Sequence, residues 1–110
     1  MHLFIGLWRA TPAWEALGAP ARATYLSKLS ADVRRVVGET AEAIAWGENE
    51  DAQSREQWQF FAVWRFPKSE LAHAYQQALD THGWGHYFTT LQVLGVTKTP
   101  LDVLTKHVTL

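Results

Sequence analysis

Apolar residues fall along this chain in short runs separated by helical stripes. Leu3-Phe4-Ile5-Gly6-Leu7-Trp8 is aromatic and aliphatic, six residues long, and suits a strand better than a helix. Thr11-Pro12 then offers a hydroxyl cap followed by Pro at the first helical position, and the turn through Trp14 and Leu17 stops at Gly18. From Pro20 to Val37 the period is helical. Leu26, Leu29, Val33 and Val36 fall at steps of three, four and three, with Lys28, Asp32 and Arg35 on the other side. Gly38 fits a C-terminal stop. Ala43-Ile44-Ala45-Trp46-Gly47 reads as a second, weaker strand, and residues 48–56 as a polar, mostly acidic loop. Gln57 to Phe66 holds the strongest strand signal, ended by Pro67. Ser69 opens a helix to His82 with Leu71, Tyr75, Ala78 and Leu79 on one face, and Gly83 closes it. Phe88 to Val96 is a fourth strand. Thr99 caps a short last helix, with Asp102 three residues on.

The order is β-α-β-β-α-β with an extra C-terminal helix. This predicts a ferredoxin-like α+β fold with a four-stranded antiparallel sheet, in one domain over residues 1–110. An internal echo agrees: Phe4-Ile5-Gly6-Leu7-Trp8-Arg9 aligns without gaps on Phe60-Phe61-Ala62-Val63-Trp64-Arg65. The first and third strands are the central antiparallel neighbours of this fold, so a duplicated half-domain places the two segments side by side. Side chains alternate along a strand. Phe4, Gly6 and Trp8 therefore share a face with each other, as do Trp58, Phe60, Ala62 and Trp64. Leu3, Ile5 and Leu7, with Phe61 and Val63, make an aliphatic side suited to packing under helices. The reverse assignment is open too, with Gly6 and Ala62 letting helices approach. In both cases an apolar face is left uncovered within one chain, which predicts a homodimer with two sheets face to face.

Composition narrows the function classes. Hydrophobic residues are 47% and charged residues 19% of the 110, so disorder is not expected. A net charge of -1 without basic clusters disfavours nucleic acid as a partner. The absence of cysteine removes disulfides, thiolate catalysis and iron–sulfur clusters. No apolar run reaches the length of a membrane span or leader, so a cytoplasmic, membrane-free protein is expected. No phosphate loop, dinucleotide fingerprint or nucleophile elbow occurs, and no motif requires a cofactor.

Six tryptophans are the unusual entry in the composition. Trp8, Trp46, Phe60 and Trp64 are candidate walls of a pocket for a flat aromatic ligand, with Gly6 beside Ala62 as a floor; packing at the dimer core would account for the same rings. His86, in Gly83-Trp84-Gly85-His86-Tyr87, is a candidate general base or acid. Arg65, with Arg9, is a candidate anchor for a carboxylate or enolate, the alternative being a surface ion pair. His82 and His86 lie four apart, but Gly83 and Gly85 interrupt any shared helix, so no metal site is expected.

Phe4-Ile5-Gly6-Leu7-Trp8, Pro12-Ala13-Trp14, Trp46-Gly47, Phe61-Ala62-Val63-Trp64 and Gly83-Trp84 before Tyr87-Phe88 together resemble a family of uncharacterised bacterial proteins of about this length, over nearly the whole chain. The resemblance implies membership of the dimeric α+β barrel superfamily. Its members include cofactor-independent quinol monooxygenases, haem-degrading monooxygenases and muconolactone isomerases. The expectation is a small homodimer holding a flat hydrophobic molecule in an aromatic cavity. If it is an enzyme, the resemblance implies a cofactor-independent oxygenase or isomerase. The alternatives are a non-catalytic accessory or ligand-sensing dimer, and a haem-binding protein.

Overall fold

The computed structural model describes residues 1–110 and contains four strands and five helices. They follow in the order β1 (His2–Ala10), α1 (Pro12–Glu15), α2 (Ala19–Val37), β2 (Glu42–Glu48), β3 (Phe60–Phe66), α3 (Ser69–Thr81), α4 (Trp84–Tyr87), β4 (Phe88–Val96) and α5 (Pro100–His107). The sheet order is β2-β3-β1-β4, with every neighbouring pair antiparallel. This is the ferredoxin-like α+β fold.

The register of the central pair explains the echo. Phe4 stands opposite Trp64, Gly6 opposite Ala62 and Trp8 opposite Phe60. The two similar segments therefore pair about a local twofold through Gly6 and Ala62. One irregularity at Ala43/Ala45 shifts the β2–β3 register and turns Ile44 outward.

The helices cover the aromatic face, not the aliphatic one. Phe4 and Phe66 are buried in one cluster with Ala72, Tyr75, Ala78 and Leu79 of α3. Small residues on the helix, Ala72 and Ala78, let α3 sit close to the sheet. The opposite face carries Leu3, Ile5, Leu7, Val63, Leu91 and Val93 with no element laid over it. The first of the two face assignments is thus corrected. Tyr75 of α3 packs against Phe4, Trp64 and Phe66, so the rings of this face meet an aromatic partner on the helix while the aliphatic face meets none.

Two local differences from the sequence reading have clear causes. The strand read from Gln57 begins at Phe60, because residues 49–59 close on themselves. The Asn49 side-chain amide donates to the Trp58 carbonyl (2.8 Å) and to Ser54 Oγ (3.0 Å), and the Trp58 N–H donates to the Ser54 carbonyl (2.8 Å). Second, the Gly-rich segment before β4 is one helical turn, α4, entered through Gly83 at φ +71°. Thr11 Oγ1 donates to the carbonyls of His86 and Tyr87 (both 2.9 Å) rather than capping α1, so the end of β1 holds α4 in place.

α2 packs on α3 rather than down on the strands. Asp32 of α2 accepts a bond from His82 Nε2 at 3.0 Å, just past the end of α3, and pairs with Arg35 on its own helix. α1 is tied to α2 by Arg22, which donates to the carbonyls of Trp14 (3.2 Å) and Glu15 (3.1 Å) with its guanidinium over the Trp14 ring. α5 is capped by Thr99 Oγ1, which accepts from the Asp102 N–H at 3.1 Å, yet it buries no residue.

Candidate functional site

Because α2 stands off the sheet, a cavity of about 360 Å³ lies between them. Its floor is Phe4, Gly6 and Trp8 of β1 with Thr90 and Gln92 of β4. Its walls are Leu29 and Val33 of α2, Tyr75 and Leu79 of α3, Trp64 and Trp84. Leu26, Ser30 and Arg34 rise at successive turns of α2 and are exposed, and across from them Trp46 on the edge strand is 55% exposed. These four residues mark the mouth.

The rings form a continuous belt. Trp84 meets Trp8 edge to face at 5.6 Å, Trp8 meets Trp46 at 5.6 Å, and Trp46 meets Trp64 at 6.3 Å. Trp64 then meets Tyr75 at 5.3 Å, and Tyr75 meets Phe4 at 5.0 Å. Edge-to-face pairs at such distances are favourable beyond the area they bury. Trp84 is further fixed by stacking on Phe88 at 4.1 Å. Gly6 keeps the floor low: a Cβ there would sit 3.1 Å from a Phe4 ring carbon and 3.9 Å from Trp8.

The polar inventory is one-sided. Arg34 is the single charged residue on the lining, and Ser30, Thr90, Gln92 and Tyr75 supply neutral groups. Thr90 Oγ1 already donates to the Leu7 carbonyl at 3.0 Å. Burial pushes the Tyr75 phenol up to about 12, opposed in part by the neighbouring Trp64 indole N–H, so Tyr75 stays protonated. Trp64 Nε1 is itself buried, with the Tyr75 phenol as its polar neighbour. No Asp, Glu or His lines the cavity.

The expected site residues divide accordingly. Trp8, Trp46 and Trp64 line the cavity, while Phe60, at 6.1 Å from Trp8, backs the belt from outside the lining. His86 is exposed on α4, its ring beside Tyr87 at 5.0 Å. Arg65 points to the uncovered face and pairs with Glu42 at 2.6 Å, the surface ion pair that was the alternative for it. Arg9 and Arg65 do not approach one another. Arg65 lies opposite Leu3, whereas Arg9 lies opposite Thr89 at the far end of β1, donating to the Gln57 carbonyl over the Trp58 ring. Their separation follows from the antiparallel pairing, which sends the two Trp-Arg ends in opposite directions. Trp84, Tyr75 and Arg34 were missed as site residues. Arg34 stands beside the apolar stripe of the second helix, and Leu26-Ser30-Arg34 at steps of four was the signal available for it.

A ferredoxin-like α+β sheet with a ligand-sized aromatic cavity beneath its helices defines the structural class. Within that class, the chain belongs to a family described as Family of unknown function (DUF6616), which matches residues 1–110. No curated protein matches the sequence significantly. Among solved structures, it is similar to a chlorite dismutase variant from Candidatus Nitrospira defluvii: TM-score 0.72, 15% identity, 96% of this chain covered and 43% of that one. The chain thus spans less than half the length of the chlorite dismutases it matches. A protein of Arabidopsis thaliana matches at TM-score 0.58 and 14% identity, covering 90% of this chain and 97% of that one. A protein from Mesorhizobium loti described as a dabb family protein with a ferredoxin-like fold matches at TM-score 0.51 and 8% identity, covering 90% and 100%. At these identities the likeness is one of fold. No helix of the chain is long and apolar enough to cross a membrane.

Proposed function

We propose that this protein binds a flat hydrophobic small molecule between α2 and the sheet. One observation carries the reading: a cavity of about 360 Å³ walled by four edge-to-face tryptophans, Trp8, Trp46, Trp64 and Trp84. That volume falls in the range of small-molecule sites, and apolar walls with few polar groups are their usual lining. The likeness in fold to chlorite dismutases is compatible with catalysis. The lining holds no side chain able to take a proton near neutral pH, so any reaction there would rely on the ligand's own acidity. Neither His86 nor Arg65, the expected base and anion anchor, reaches the cavity.

A haem does not suit the residues present. None of the five His lines the cavity, and the only phenol there is held protonated. Added haem should therefore give no axially ligated spectrum.

The binding reading is tested with naphthamide, a neutral flat probe. It should bind once per chain and shift the indole N–H signals of Trp8, Trp46, Trp64 and Trp84 while leaving Trp58 still. Ser30→Trp, at the exposed mouth, should abolish this with the circular dichroism unchanged. Binding that survives the plug would place the ligand elsewhere and end the proposal.

The same chain leaves its aliphatic face open, and we read that face as the surface where a second copy packs. Leu91 and Val93 are 47% and 52% exposed beside Ile5 and Leu7 in the centre of the sheet, and antiparallel sheets left to water are polar on that side.

A further inference from the structure

The cavity's charge and donor content go one step further, resting on the reading of it as a binding site. Arg34 is the only charged group on the lining and stands at its mouth. The three ion pairs of the molecule engage Arg35, Arg65 and His82, leaving Arg34 without an acidic partner. It lies in the last turn of α2, one residue before the Arg35 that does pair with Asp32. No carboxylate lines the cavity to compete for it. Across the aromatic walls the remaining groups are neutral.

A guanidinium at the rim of an apolar slot selects ligands by their charge and by where that charge lies. An anion seated deep among the rings would lose its hydration with nothing to replace it. One held at the mouth keeps part of its water and gains paired N–H bonds from the fork. A cationic ligand would face Arg34 with no balancing acid. We propose that the ligand is an aromatic or polycyclic molecule bearing one anionic oxygen group, a carboxylate or an acidic phenol or enol. Its ring system sits on Gly6 between Trp8 and Trp64, and its charge is bound by Arg34. This fits a lining without a base, because such a ligand arrives already ionised.

The test compares naphthoate with its neutral isostere naphthamide by isothermal titration calorimetry, with the tryptophan indole signals locating each probe. Naphthoate should bind several-fold more tightly, the modest discrimination of a charged pair at a solvent-exposed rim. Arg34→Gln should erase the difference between the two probes, and Arg34→Lys should keep part of it. Arg34 is exposed, so these variants should fold normally. Equal affinities in the unmodified protein, or a preference that survives Arg34→Gln, overturns the anion assignment and leaves the aromatic cavity standing. If neither probe moves the signals of Trp8, Trp46, Trp64 and Trp84, the binding-site reading falls and this inference with it.

Discussion

Gly83 shows how much a single residue decides. It holds φ at +71°, and a Cβ there would meet nothing within 4 Å, so any cost of substitution is a backbone cost. Gly83→Ala should lower unfolding stability by about 1–2 kcal/mol in urea titrations. A smaller effect would mean that the α3–α4 junction relaxes. The residue matters to the site because it turns the chain so that Trp84 closes the belt against Trp8. In the sequence Gly83 was legible as a helix stop. What could not be read was that the next four residues form another helical turn, since that turn is held by Thr11, over seventy positions earlier in the chain.

Among elements, the relation of α2 to α3 governs the cavity. Both helices were legible from their apolar periodicity, and β1, β2, β3 and β4 from their short apolar runs. The distance of α2 from the sheet was not, because it depends on the bulk of rings from three separate strands. Asp32 ties α2 to the end of α3 through His82. Its carboxyl is held below the ordinary value of 3.8 by bonds from Arg35 first and His82 second. A lowered carboxyl pKa adds stability above the ordinary value, and that stability is lost as pH falls through the folded-state value. The melting temperature of the unmodified protein should therefore exceed that of Asp32→Asn near neutral pH. The gap should close on acidification below about pH 4. A gap unchanged down to pH 2 would show that Asp32 contributes no ionisation-linked tie.

For the whole molecule, the sequence made legible that one face of the sheet is uncovered, but not which. Period-two alternation gives two faces without saying which lies under the helices, and both were apolar here. The structure puts the rings inside and the aliphatic residues outside, so the homodimer is expected on the face of Ile5, Leu7, Leu91 and Val93. Val93→Lys should convert a dimer of twice 12.5 kDa to monomer in native mass spectrometry, with secondary structure intact. A monomer before any substitution would refute that interface. The tryptophan belt has one more consequence, which is optical. Indoles at centroid separations of 5.6–6.3 Å couple their excited states, so light absorbed by one of Trp84, Trp8, Trp46 or Trp64 is shared by all four. A molecule entering the slot perturbs the whole set at once, and the protein's own ultraviolet emission becomes a gauge of whether the slot is filled.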